Sequence, residues 1–447
     1  MTETTKTVAL PTVNIISLGC SKNLVDAEQL MKCLADAGCK VVFDAPVRSL
    51  PKGSIVVVNT CGFIADAKEE SINTLLAWAK EKERRNSHVS EVIAMGCLSE
   101  RYRDELPGMI PEVDVWAGKK DWHSIVARIA RRHPATAPYD RVITTPRHHA
   151  YLKIAEGCDR FCAFCAIPLI TGRYHSRRSD EVVAEAEMLA ARGVKELNVI
   201  AQDLSAYGRD LNSEGRSGLA ALVDRLADIN GIERIRLHYA YPADFPMDVL
   251  DVMARRDNVC KYIDIALQHI ADSVLVNMRR HIDGAATRGL LAEIRRRVPG
   301  IHIRTTLMVG FPGEEEAEFA ELLDFVREQR FERMGAFAYC EEEDTYAARH
   351  FSDDIPDDVK QSRLAELMAL QEEISLEIQQ EKVGRVMRVV IDREESDYYV
   401  GRTEFDSPEV DPEVLVEKVR PLHRGDYVNV EITSALPFEL IGRPISE

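Results

Sequence analysis

A chain of 447 residues has material for about three domains at roughly 150 residues each. Hydrophobic residues at 45% and charged residues at 29% exclude a disordered chain, and no apolar run nears the roughly 18 residues of a membrane-crossing helix. The formal net charge of −17 argues against a general nucleic-acid binder, which needs clustered Lys and Arg, and suits a basic partner better.

Met1 to Leu10 lacks the basic start and apolar stretch of an export signal, so a cytoplasmic location is expected. Ten cysteines in that compartment are metal ligands or buried apolar thiols rather than disulfides.

In chain order, VNIISLGC, SIVVVNTC and EVIAMGC are β-rich runs, each followed by a helical stretch, which predicts a parallel α/β domain over residues 1–135. Residues 131–150 carry Pro134, Pro138 and Pro146 without sustained periodicity and are expected to link it to the next part. Six further strand patterns alternate with amphipathic helices between Tyr151 and Cys340: YLKIAEG, KELNVIA, RIRLHYA, YIDIALQ, HIRTTLMVG and MGAFAYC. They predict a partial (β/α)6 barrel within residues 136–380, closed by a long helix from about Asp358 to Gln380. Short strand patterns over 381–447 (RVMRVVID, YYVGRTEF, DYVNVEIT) predict a small C-terminal β-barrel.

Cys158, Cys162 and Cys165 form CxxxCxxC at the end of the first barrel strand. Three thiolates on one short loop suit three irons of a four-iron four-sulfur cluster, leaving the fourth iron open. The alternative is a zinc knuckle or coincidental thiols, though zinc usually takes a fourth protein ligand. Cys20, Cys61 and Cys97 are far apart in sequence, but each ends one of the first three strand patterns. Parallel strands gather such ends along one sheet edge, where doubly wound folds bind ligands. For any one of them alone, a buried thiol would be the simpler reading. Cys33, Cys39, Cys260 and Cys340 share no such context and are expected to be structural.

The CxxxCxxC loop, with aromatic Phe164 before its last cysteine, resembles the radical S-adenosylmethionine (SAM) superfamily. With the N-terminal trio and a TRAM-like C-terminal barrel, nearly the whole chain resembles the methylthiotransferases. SLGCSKNLVDAE around Cys20 and LQHIADSVLVNMRR around His269 look more like the ribosomal-protein (RimO-type) branch than the branch acting on tRNA adenosine. That branch methylthiolates the β-carbon of an aspartate in the twelfth small-subunit ribosomal protein. The resemblance implies SAM and two four-iron four-sulfur clusters, one on Cys158, Cys162 and Cys165 for SAM, and an auxiliary one on Cys20, Cys61 and Cys97 that delivers sulfur. SAM is then used twice, once to methylate that sulfur and once to make a deoxyadenosyl radical. An electron donor and a basic ribosomal protein, free or in the small subunit, are the implied partners.

Phe164, Gln202, Asp203 and Arg304 stand where cofactor-binding residues are expected, Gln202 and Asp203 for the methionine amino group and Arg304 for its carboxylate. The GFPGE turn at Gly310 to Glu314 matches the family but is also explicable as structure. Ser21 stands where the branch commonly has proline, and Thr171 where it usually has arginine. The rival readings are a tRNA methylthiotransferase and a non-catalytic iron-sulfur protein binding RNA or the ribosome. Charge bears on the choice, since residues 381–447 hold nine Lys and Arg against fifteen Asp and Glu, a net of −6. An acidic surface would steer a basic protein, whereas a patch of Arg385, Arg388 and Arg402 would be needed to meet RNA.

Overall fold

The computed structural model describes residues 10–131 and 139–445, so Pro134, Pro138 and the segment before Leu10 lie outside the described residues. Two compact units form, one of residues up to Thr144 with Ile167–Gly172, the other of Thr145–Ala166 with Arg173 onward.

In the first unit, β1 (Thr12–Ser17), β2 (Lys40–Phe43), β3 (Ser54–Thr60), β4 (Val89–Gly96) and β5 (Val115–Trp116) make one parallel sheet in the order β2-β1-β3-β4-β5. β1, β3 and β4 are the three strands predicted; β2 and β5, four and two residues long, are too short to show a period. Side chains alternate between two cores. Val13, Ile15, Ile55, Val57 and Ile93 pack with the helices Ser21–Asp36 and Trp122–Ala130, while Ile16, Val56, Val58 and Val92 pack with Leu75 of the helix Ala65–Lys82. Covering both faces explains why these strands read as continuous apolar runs. The stretch expected to be a linker is irregular in backbone, yet its described part is anchored. Arg141 is buried in an ion pair with Glu28, and Thr144 donates to Glu28 Oε1 from both its N–H and its hydroxyl, each at 2.7 Å.

The second unit holds β6 (His149–Lys153), a two-residue antiparallel pair β7 (Ala155–Glu156) and β8 (His175–Ser176), then β9 (Glu196–Ile200), β10 (Arg234–Ala240), β11 (Val259–Ile265), β12 (His302–Val309) and β13 (Arg333–Ala338). Six of them form the expected parallel sheet in the order β13-β12-β11-β10-β9-β6, with helices between successive strands. The helix Asp357–Gln380 follows, and then a closed barrel of β14 (Val386–Glu394), β15 (Tyr398–Arg402), β16 (Glu413–Glu417), β17 (Tyr427–Leu436) and β18 (Glu439–Pro444). The sequence patterns anticipated β14, β15 and β17 and missed β16 and β18.

The segment Arg402–Asp411, between β15 and β16, reaches all six strands of the parallel sheet near their N-terminal ends. Arg402 bonds both oxygens of Glu196 on β9 (3.0 and 3.2 Å), Glu404 O accepts from Arg236 on β10 (2.6 Å), and Asp406 pairs with Arg333 on β13 (2.5 Å). Glu409 meets the Tyr151 hydroxyl on β6 at 3.5 Å, and Asp411 takes the Tyr262 hydroxyl of β11 at 2.8 Å and Arg304 of β12 at 3.4 Å. Burial alone would raise the Glu196 carboxyl, but Arg402, Arg236 and Arg234 hold it well below the usual carboxylate range. Nearby, His148, His149 and Asp392 bring one ligand atom each within 4.8 Å of one another. Asp392 is already held by Arg402 and by His148, each at 2.7 Å, so its carboxylate is committed within the protein, and burial together with Arg402 pushes His149 down to about 4.

These pairs change the meaning of the −6 charge. Among the described residues from Glu381 onward, the exposed acids are Glu381, Glu394, Glu395, Asp397, Glu409 and Glu431, and the exposed bases Arg385, Arg388, Lys418, Arg420, Arg424 and Arg443. Six balance six; the excess acids are the buried Asp406 and half-buried residues such as Glu413, Glu417 and Asp426. The fully exposed positions therefore carry no net charge, and what acidic excess reaches solvent comes from the half-buried acids. The alternative basic patch is broken up, because Arg402 is buried and Arg388 pairs with Glu233.

Candidate metal centres

The strand order β2-β1-β3-β4-β5 reverses direction at β1, and a doubly wound sheet opens a crevice outside the carboxyl ends of the strands at that point. Cys20 caps the helix Ser21–Asp36 three residues after β1, Cys61 follows β3 directly, and Cys97 follows β4 and opens the helix Cys97–Arg101. Helix N-termini favour thiolates. Burial pushes Cys97 up to about 12, with the thiols of Cys20 and Cys61 adding to the rise and Lys119 opposing it; burial also raises Cys61. Two buried thiols beside a third at one sheet edge suit a group that brings its own positive charge.

Asn23, one turn into the first helix, clasps all three loops. Its Nδ2 donates to Leu18 O (3.1 Å) and Thr60 O (3.0 Å), and its Oδ1 accepts from Cys97 Sγ at 3.4 Å. Gly19 sits at φ +83, where a Cβ would lie 2.7 Å from Cys61 Cβ and 2.8 Å from its sulfur. Gly19→Ala is expected to lower the iron held by this trio while leaving the CxxxCxxC loop loaded. Iron and sulfide assays of the reconstituted variant check this, and full iron content would show that the loop tolerates the displacement. Ser21, the first helical residue, continues that helix where the branch has proline.

In the second unit the CxxxCxxC loop leaves β7 through Gly157 (φ +84), with Phe161 also left-handed (φ +48). Ala163 anchors it, donating to Met278 O (2.9 Å) and accepting from the Ala347 N–H (2.7 Å). Cys162 is buried; Cys158 and Cys165 are partly so, and burial pushes Cys158 up to about 12. The Phe164 ring meets Phe311 of GFPGE edge-on at 6.3 Å, which is a packing contact. Gly310 has φ +73 and a Cβ there would meet Lys360 Cγ at 2.4 Å, while the buried Glu314 accepts from the Gly310 N–H (2.9 Å) and from Arg363 (2.8 Å). This turn is a structural hub.

Gln202 and Asp203 follow β9, beside the loop. Gln202 Nε2 donates to Glu156 at 2.5 Å, Lys153 pairs with the same carboxylate at 2.9 Å, and Arg160 of the loop donates to Asp203 at 2.6 Å. Arg304 lies apart from them, on Asp264 (3.1 Å) and Asp411 (3.4 Å). The carboxylates it holds are the protein's own, so a methionine carboxylate there would have to compete with Asp264 and Asp411. Thr171 is buried, with its hydroxyl on Ile167 O (3.0 Å).

Residues 12–118 match the model of an uncharacterized protein family, UPF0004, residues 152–326 the radical SAM superfamily, and residues 383–445 the TRAM domain. The ribosomal protein uS12 methylthiotransferase RimO of Phocaeicola vulgatus is 53% identical over 430 residues, 96% of this chain and 98% of that protein. Its namesake from Parabacteroides distasonis is 53% identical over 97% of this chain and 99% of its own length. This chain belongs to the uS12 methylthiotransferase family. Among solved structures, the radical SAM methyltransferase TsrM from Kitasatospora setae shares the fold at a TM-score of 0.53, with 14% identity over 76% of this chain and 74% of that one.

The cofactors of this methylthiotransferase family are SAM and two four-iron four-sulfur clusters. The residues present fit them. All ten cysteines are free of disulfides. Buried polar atoms without partners also flank the CxxxCxxC loop: the acceptors Gln202 Oε1 and Asp203 Oδ1, suited to an ammonium, and the donors Arg160 Nη2 and Arg280 Nε, suited to a carboxylate. Sequence reasoning overlooked Asn23, Arg160, Tyr241 and Arg280. Asn23 and Arg280 lie in the stretches around Cys20 and His269 that carried the family resemblance, which was their one signal. Of the four cysteines expected to be structural, Cys33, Cys39 and Cys260 are buried and Cys340 is exposed.

Proposed function

We propose that this chain adds a methylthio group to the β-carbon of an aspartate in ribosomal protein uS12. The observation that carries this is the pair of cysteine trios, one on the CxxxCxxC loop and one at three neighbouring strand ends, in a chain 53% identical to uS12 methylthiotransferases over nearly its whole length. In this reading residues 1–135 hold the auxiliary cluster on Cys20, Cys61 and Cys97, residues 136–380 hold the SAM cluster on Cys158, Cys162 and Cys165, and residues 381–447 form the TRAM-like part. When bound, the groups supply a radical that removes hydrogen from an unactivated carbon and a methylated sulfur to replace it. The chain's own residues orient the reactants. Gln202 and Asp203 receive the methionine ammonium, and Arg160 fixes Asp203 for that task.

No helix among the described residues is long and apolar enough to cross a membrane, and the reading places the enzyme in the cytoplasm with its ribosomal substrate. Mass spectrometry of uS12 and of tRNA from cells with and without the chain tests it. One added methylthio group on uS12, present only with the chain, is expected; modified tRNA with unmodified uS12 would assign the chain to the tRNA branch.

A further inference from the structure

Arg280 is 2% exposed, and among the described residues no carboxylate pairs with it. Its Nη1 donates to Cys162 Sγ at 3.3 Å, its Nη2 to Ala266 O, and its guanidinium lies 4.2 Å from the centre of the Tyr241 ring. Tyr241 braces it in return, donating its hydroxyl to Arg280 O at 2.8 Å while standing 3.7 Å from the same sulfur. Arg160 also lies over that ring, at 4.3 Å. A buried cation needs an anion within reach. Here the sulfur it faces is that of Cys162, a thiolate whenever it ligates iron.

We propose that Arg280, braced by Tyr241, is the positioning residue that sets the reduction potential of the SAM-site cluster through its bond to the Cys162 sulfur. This rests on the reading above that Cys162 ligates iron. The cluster takes one electron from a low-potential reductant, becoming one charge more negative, and no bond of the protein breaks. A positive N–H donor on a ligating sulfur stabilises the more negative state, so it raises the potential.

The test uses full-length reconstituted protein with Cys20, Cys61 and Cys97 replaced by Ala, so that one cluster is observed. Potentiometric titration with dithionite, followed by electron paramagnetic resonance, gives its midpoint. Arg280→Met is expected to shift the midpoint to a more negative value and to change the resonance line shape. Arg280→Lys should fall between the two, and Tyr241→Phe should move in the same direction by less. Should Arg280→Met fail to fold, the Lys and Phe variants decide. A midpoint unchanged in every variant that holds iron overturns the proposal. A background protein that holds no iron on Cys158, Cys162 and Cys165 overturns the underlying reading instead.

Discussion

Replacing Cys158, Cys162 and Cys165 together by Ala is expected to leave the reconstituted protein with about four irons where the parent has about eight, and to abolish SAM cleavage. Cys97→Ala should act differently. Its thiol belongs to the separate trio at the ends of β1, β3 and β4, so deoxyadenosine should still form under a strong reductant while no methylthio product appears. Iron content that survives removal of either trio would defeat the two-cluster assignment. Undiminished methylthiolation by Cys97→Ala would take sulfur delivery away from the N-terminal trio.

Arg402→Met should be the most destabilising single substitution in the C-terminal barrel. It leaves Glu196, which is 0% exposed, with Arg236 at 3.4 Å as its ion-pair partner, and frees Asp392 from its guanidinium. Removing one partner of a buried pair costs about 3–5 kcal/mol, a sizeable part of the roughly 5–15 kcal/mol that holds a domain together. Arg393→Met is the control, since its pair with Glu413 is 41% and 35% exposed and is worth about 1 kcal/mol or less. Urea midpoints of the two variants, followed by circular dichroism, make the comparison. Equal losses would mean that the segment Arg402–Asp411 is not held by its buried charges.

The parts of the fold legible in the sequence were those with local signatures. β1, β3 and β4 announce themselves as apolar runs because helices cover both faces, and the six strands of the parallel sheet alternate regularly with amphipathic helices. β2 and β5 escaped because strands of four and two residues are too short to show a period, and β18 because Gly442 and Pro444 interrupt its pattern. The cysteines were legible for the same reason: each ends a strand or sits in one compact loop. Arg402 was not, because its partner Glu196 lies 206 residues away and burial reverses the role its charge suggested. The ion pairs of Arg304 with Asp264 and Asp411 were likewise not legible, because those partners lie 40 and 107 residues away.

The ten residues from Arg402 to Asp411 also decide how this enzyme can be recombined with its relatives. They belong to the C-terminal barrel in sequence, yet Glu404, Asp406, Glu409 and Asp411 find their partners on strands spread from Tyr151 to Arg333. A graft that exchanged residues 383–445 for a foreign TRAM domain would strand Arg234, Arg236 and Arg333 against groups not shaped for them. The parallel sheet and the C-terminal barrel thus exchange as one part, and a viable chimera has to carry those arginines across with the domain they serve.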